Sequence, residues 1–304
     1  MYTLNRNALI NLLIIKSNFM SWSILMNSIL TVHSKCRVGF YPRSNLKRFP
    51  VPDDKVDWST EYKQYNPPNY TFPGLHGKPY ADPEIGDPNF EPLWNSIDGN
   101  ISRVSYNGPY QIVNGFPLNP LGRTGICGRG VLGRWGPNHA ADPIISRWKR
   151  LDNGNMAVGV NNKPILQFIA IKRGDTGEWA IPGGMVDPGE KVSETAIREF
   201  KEEALNSLSL ADKIQWEKEI DEFFSEGEVI YQGYVDDCRN TDNSWIETIA
   251  YNFHDESGLT VGLLKLHAGD DAVGVRWVDI TPDLKLYASH TEIVSSVLKL
   301  RIKN

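Results

Sequence analysis

Hydrophobic periodicity becomes regular only in the second half of the chain. Residues 165–172 (ILQFIAIK) are a continuous apolar run of strand length, the pattern of a strand buried on both faces. Residues 179–181 predict a short strand that ends at Pro182-Gly183-Gly184. Residues 193–205 carry helical spacing, with Ser193, or less favourably Thr195, as N-cap. A second, charged helix is expected over 211–224, strands over 229–235, 244–252 and 275–280, and a closing amphipathic helix over 290–303. Strands and helices intermix without an internal repeat, which indicates an α/β layered domain.

The first half reads differently. From 51 to about 120 the chain is rich in Pro, Asn, Tyr and Gly, in pieces such as YNPPNYTFPG (65–74) and ADPEIGDPNF (81–90). Proline removes backbone donors and fixes φ, so long helices are excluded there. Trp58, Tyr62, Tyr65, Tyr70, Phe72, Tyr80, Phe90 and Trp94 supply enough aromatic surface for an irregular, β-rich lobe that packs. The expected division is a leader over 1–50, an N-terminal lobe over 51–150 and a second domain over 151–304.

Charge sharpens that division. Residues 1–52 hold seven Lys or Arg and no acid, and subtracting those seven from the net charge of −5 leaves −12 for the remainder. An acidic body does not track a nucleic-acid backbone over a wide surface, although a bound metal reverses the sign of a local site. The leader's apolar runs, 8–15 and 22–32, fall short of the roughly 20 residues that span a bilayer. A basic, acid-free leader with Ser and Asn suits a transit peptide and a mitochondrial protein. A secretory signal, or translation starting at Met20 or Met26 and a cytoplasmic product, are the rival readings. Cys36, Cys127 and Cys238 are scattered and lack CxxC spacing, so neither a disulfide framework nor a zinc site is expected.

Two segments carry candidate chemistry. GRTGICGRGVLGRWGPNHAADP (122–143) is dense in Gly, which lets a backbone approach a ligand, and in Arg, which forks onto phosphate; tight turns with solvated arginines explain the composition equally simply. In GGMVDPGEKVSETAIREFKEEAL (183–205) a glycine loop leads into a helix bearing Glu199, Glu202 and Glu203. Residues three and four apart share a helix face, so the three carboxylates cluster, and clustered carboxylates call for a cation. Hard oxygen donors suit Mg²⁺, with Mn²⁺ an alternative. A merely solvated acidic face is the competing explanation.

The spacing of this segment resembles the Nudix box. Gly184, Glu190, Arg198, Glu199, Glu202 and Glu203 stand in register, a coincidence on the order of 10⁻⁸ at a given start. Phe200, Leu205 and Asn206 depart from the pattern; Leu205 replaces a helix-ending Gly. The resemblance implies a Nudix α/β/α sandwich with a mixed sheet, here the domain over 151–304. It implies metal binding by Glu199, Glu202, Glu203 and the Gly184 carbonyl, with Glu190 and Arg198 bracing the loop. The proton of the attacking water would go to Glu203 or to Glu247.

Longer blocks, 122–150, 178–191, 231–248, 268–272 and 284–290, are similar to the ADP-ribose pyrophosphatases of animal mitochondria and to the ADP-ribose-sensing domain of melastatin-type channels. The expected activity is therefore hydrolysis of ADP-ribose to AMP and ribose 5-phosphate. Thr124 and Arg239 would contact phosphate or ribose, and Tyr287 and His290 the adenosine or terminal-ribose end, in a cleft between the two lobes. The box is complete in REFKEE (198–203), which favours an enzyme over a sensing module. A broader nucleoside-diphosphate-sugar hydrolase is the other alternative. A monomer with no nucleic-acid partner and no membrane span is expected.

Overall fold

The computed structural model describes residues 33–159, 162–205, 222–261 and 272–302, without the side chains of 201–205, 226 and 272. The leader's first 32 residues, most of the helix expected over 211–224 and most of block 268–272 lie outside the described residues.

In the N-terminal lobe, short strands pair locally: β1 (Asn69–Thr71) with β6 (Cys127–Gly130), β2 (Ile97–Asp98) with β3 (Ile101–Ser102), and β4 (Ile112–Val113) with β5 (Phe116–Pro117). Strands this short leave many backbone carbonyls without ladder partners, and buried guanidinium groups take them up. Arg123 donates to the carbonyls of Lys55, Asp57, Trp58 and Thr60 while lying over the Trp58 ring. Arg129 reaches the carbonyls of Asp82 and Gly133. Arg103 forks onto buried Asp82 at 2.8 and 3.1 Å. The arginines of 122–129 are thus the internal scaffold of a Pro-rich lobe, not a phosphate grip.

The second sheet holds β7 (Gly136–Trp148), β8 (Leu166–Arg173), β9 (Trp179–Ala180), β10 (Gly184–Met185), β11 (Glu228–Tyr234), β12 (Ser244–Asp255) and β13 (Ala272–Asp279). Its order is β11-β12-β7-β8-β13; β12 and β7 are parallel, while β11–β12, β7–β8 and β8–β13 are antiparallel. The mixed sheet and, among the described residues, helices α1 (Val192–Leu205) and α2 (His290–Ile302) form the expected α/β architecture. Side chains alternate across a strand, so Ile144 and Phe168 enter one core with Ile293, Val294 and Val297 of α2. Ile145 and Ile169 enter the core on the other face with Phe200 of α1. Phe200, the bulky departure from the box pattern, packs 5.3 Å from Phe224 between ring centroids.

Three expectations are corrected. The 13-residue β7 is the longest strand among the described residues, yet it carries no readable periodicity because Gly136 and Pro143 interrupt it. Pro143 is tolerated because that flank of β7 is bare: β10 pairs up to Ala141 and β8 only from Ser146. Ser193 lies inside α1 rather than capping it, and the Glu194 carboxylate reaches back instead to the Lys191 N–H at 3.3 Å. Finally, residues 33–50 belong to the body and not to a detachable leader. Cys36 and Tyr41 are buried, and Arg48 is bonded to three carbonyls of the body.

Candidate active site

The splayed flank of β7 is where the box loop enters. Gly184 pairs with Ala141 of β7, and the two glycines admit carboxylates against the backbone. A Cβ on Gly184 would stand 2.2 Å from Glu199 Oε1, and one on Gly183 would stand 2.3 Å from Asp142 Oδ1. At Gly183 the Ala141 carbonyl, 2.7 Å from such a Cβ, also bars a side chain, whereas at Gly184 a side chain would have to push the Glu199 carboxylate out of the cradle. Asp142, which the sequence reading overlooked, is buried, and its Oδ2 accepts the Thr248 hydroxyl at 2.7 Å. Burial, with the Glu199 charge adding to it, raises the Asp142 carboxyl to about 6. Negative charge is thus concentrated here.

Arg198 ties the loop to the helix. Its Nε and Nη2 fork onto Glu190 at 2.9 and 3.1 Å, and its Nη1 meets Glu199 Oε1 at 2.8 Å. Hydrogen bonds from Arg198, aided by Thr195, lower the Glu190 carboxyl to about 2 from its ordinary value near 4.5. A depressed carboxyl contributes stability fully above its unfolded value, and that contribution is lost as pH falls towards 2. In metal-free protein, Glu190→Gln should therefore lower Tm at pH 7 by more than at pH 3; an equal deficit at both pH values would show that the ion pair contributes nothing.

Gly184 and Glu199 supply oxygen donors of the kind that hard divalent cations take, and a carboxylate already pressed against the glycine cradle suits a metal. Glu202 and Glu203 stand three and four residues further along α1, their side chains outside the described residues.

Glu247, one of the two bases considered, does not face this cradle. Its side chain is fully buried and accepts from Ser105 Oγ, Tyr106 N, Trp245 Nε1 and Asn107 Nδ2 at 2.6, 2.6, 2.7 and 3.2 Å. With four donors on two oxygens it has no room for water. It anchors the segment just beyond the β2–β3 hairpin, whose Asn100 carbonyl accepts the Gly189 N–H of the box loop at 2.9 Å. Glu247→Gln should cost about 1–3 kcal/mol of stability by turning an amide donor towards these donors. The pH profile of kcat should keep its shape; loss of its acidic limb, which a general base sets as it deprotonates, would restore Glu247 as the base.

Thr124 is also withdrawn from any ligand. It is fully buried, with N and Oγ1 both on Asp242 Oδ1 at 2.7 and 2.8 Å. The remaining expected contacts do converge. Asp237 Oδ1 accepts the backbone N–H and Nε of Arg239, Oδ2 accepts its Nη2, all at 2.8 Å, and Oδ2 also accepts the Tyr287 hydroxyl at 3.0 Å. Burial would raise the Asp237 carboxyl, but the Arg239 guanidinium outweighs it and holds the group well below the carboxylate range. Arg239 keeps 32% of its side chain exposed, enough to meet a ligand. Arg173, missed at the end of β8, lies over the other side of the arrangement, 4.3 Å from the Tyr287 ring centroid.

His290 links this grip to the metal cradle. Its Nδ1 accepts the Ile181 N–H at 2.9 Å, and the Tyr287 N–H bonds to the Trp179 carbonyl at 2.9 Å. Burial, reinforced by Arg173, lowers the imidazole to about 3, so at neutral pH it is uncharged with its proton on Nε2. The backbone from Trp179 to Gly184 is thus shared by both halves of the site. Asp142 couples to both halves: the Glu199 charge disfavours its ionised form and the Arg239 charge favours it.

Comparison with known proteins matches both regions. The family model described as "NUDT9-like, N-terminal domain" covers residues 51–136, and that described as "NUDIX domain" covers 158–293. The chain is 55% identical over 294 residues to an ADP-ribose pyrophosphatase, mitochondrial, of Rattus norvegicus, covering 94% of this chain and 83% of that protein. It is 50% identical over 267 residues to a putative nudix hydrolase 6 of Caenorhabditis elegans, covering 86% of this chain and 95% of the relative. A transient receptor potential cation channel subfamily M member-like 2 of Nematostella vectensis is 48% identical over 277 residues, which are 89% of this chain but 18% of the channel.

Proposed function

The chain belongs to the Nudix hydrolases, and from that premise we propose that it cleaves the pyrophosphate of ADP-ribose to AMP and ribose 5-phosphate with Mg²⁺, Mn²⁺ serving as a substitute. The observation that carries this reading is the shared Trp179–Gly184 backbone, which sets the Arg239–Asp237–Tyr287 grip beside the Glu199–Gly184 cradle. Nudix hydrolases use divalent metals, and the donors present fit one.

The cation neutralises pyrophosphate oxygens and lowers the pKa of water. Glu199, Glu202, Glu203 and the Gly184 carbonyl would hold it. Arg239 would fix a phosphate or ribose, and the neutral His290 would donate from Nε2 to a ligand oxygen. Water adds to phosphorus, one P–O bond of the bridge breaks, and the water proton passes to Glu203, the base left once Glu247 is withdrawn. The complete acid set in 198–203 favours hydrolysis over the sensing function of a channel domain. The first 32 residues, which hold Arg6 and Lys16 and no acid, together with the mitochondrial relative support a mitochondrial location.

The test is a hydrolysis panel of ADP-ribose, NAD, ADP-glucose and diadenosine polyphosphates with product identification. AMP and ribose 5-phosphate should appear from ADP-ribose at least ~10-fold faster than products from ADP-glucose or NAD, because a site that bonds particular hydroxyls rejects analogues lacking them. EDTA should abolish turnover and Mg²⁺ restore it. Equal cleavage of ADP-glucose would defeat the substrate assignment while leaving the family intact.

A further inference from the structure

The turn that presents Arg239 has an unusual support. Three successive carbonyls, those of Cys238, Arg239 and Asn240, point into the segment 33–48, which precedes the matched N-terminal domain. Arg48 Nη2 donates to Cys238 O at 2.6 Å and to Asn240 O at 3.0 Å, and its Nη1 reaches Thr124 O at 3.1 Å. The Tyr41 hydroxyl donates to Arg239 O at 2.6 Å and accepts the Val131 N–H at 2.9 Å. Lower on the same turn, the Asp236 carboxylate receives the N–H groups of Lys35 and Cys36 at 2.9 and 3.0 Å.

The same segment also touches the other side of the grip. Lys35 Nζ donates to the carbonyl of Ala288, which lies between Tyr287 and His290. Ala288 has φ 47°, a left-handed conformation that a non-glycine residue holds only when its surroundings impose it. Both turns that carry the ligand contacts are therefore held from behind by one strap.

We propose that residues 33–48 are a positioning strap for the ADP-ribose grip, in which Tyr41 and Arg48 fix the 238–240 backbone so that Arg239 meets the ligand. This rests on the ADP-ribose reading above. The hydrogen bonds of Tyr41 and Arg48 go to the 238–240 turn and to the Thr124 and Val131 backbone, so these two residues act on binding through Arg239. A guanidinium tethered by its own backbone carbonyl loses less freedom when a ligand arrives.

The experiment is a double-mutant cycle in the full-length protein, with ADP-ribose as substrate and saturating Mg²⁺. Tyr41→Phe removes one hydroxyl and should raise KM by about three- to tenfold, the effect of one or two neutral hydrogen bonds, with kcat within about twofold. In an Arg239→Ala background the same substitution should change KM by less than about twofold, because the residues act as a unit. Arg48→Lys, which keeps the charge but loses the fork across Cys238 and Asn240, should reproduce the pattern. Equal KM effects in both backgrounds, or a lower Tm with unchanged KM, would overturn the strap, as would failure of both single variants to fold. A wild-type protein that does not hydrolyse ADP-ribose would overturn the functional reading instead.

Discussion

Glu203→Gln and Glu202→Gln should each lower kcat for ADP-ribose by at least ~100-fold, or about 2.7 kcal/mol in the barrier. The pyrophosphate repels an incoming water, and its leaving group departs with negative charge, so the barrier depends on how completely a cation is held against the bridge. Glutamine keeps the size and an oxygen of glutamate but loses its charge, and on the proposed mechanism the Glu203 variant also lacks the acceptor of the water proton. Folding should survive. The carboxylates on this face repel one another when no metal is bound, so neutralising one relieves that repulsion. Metal-free Tm of either variant should equal or exceed that of the wild type. Glu199 is the poorer choice for this test, because its carboxylate is also bonded to Arg198 and its loss would loosen the loop brace. Near-normal kcat in both variants, measured at saturating Mg²⁺, would remove the metal assignment.

Arg239→Ala should weaken kcat/KM for ADP-ribose by about 1.5–3 kcal/mol, or roughly 10- to 150-fold, the range of a charged hydrogen bond. The contact is remote from the scissile bond, and energy from such contacts positions the reacting phosphate. The structure adds a consequence for stability. Removing the guanidinium leaves buried Asp237 with the Tyr287 hydroxyl and the backbone N–H of residue 239 as partners. An uncompensated buried carboxylate is costly, so Tm should fall as well. Kinetics should therefore be measured well below that Tm, and Arg239→Lys should be intermediate: the charge stays but the two-point fork on Asp237 is lost. Tyr287→Ala and His290→Ala should cost less each, mainly in KM. Unchanged kcat/KM in Arg239→Ala would show that the ligand is held elsewhere.

Elements whose burial is local and periodic are legible in the amino-acid order alone. Strands β8, β12 and β13, helix α1 and helix α2 follow from apolar spacing, since a residue's place on a strand or helix face is set within a few residues of chain. Spacing alone also yields the Glu190–Arg198 brace, because it lies within one loop–helix unit. Only the tertiary structure decided what depends on partners far along the chain. Glu247 and Thr124 looked like free polar side chains until residues 105–107 and Asp242 proved to consume their bonding capacity. Asp142 and Asp237 gave no signal of their own; the first matters because β7 splays at Pro143, the second because Arg239 and Tyr287 meet on it. Residues 33–48 read as leader by charge, yet Tyr41 and Arg48 bond to carbonyls some 190 residues away. Composition reports what a segment contains, whereas a buried donor's role is fixed by whichever acceptor the fold brings within about 3 Å, and no spacing rule spans that distance.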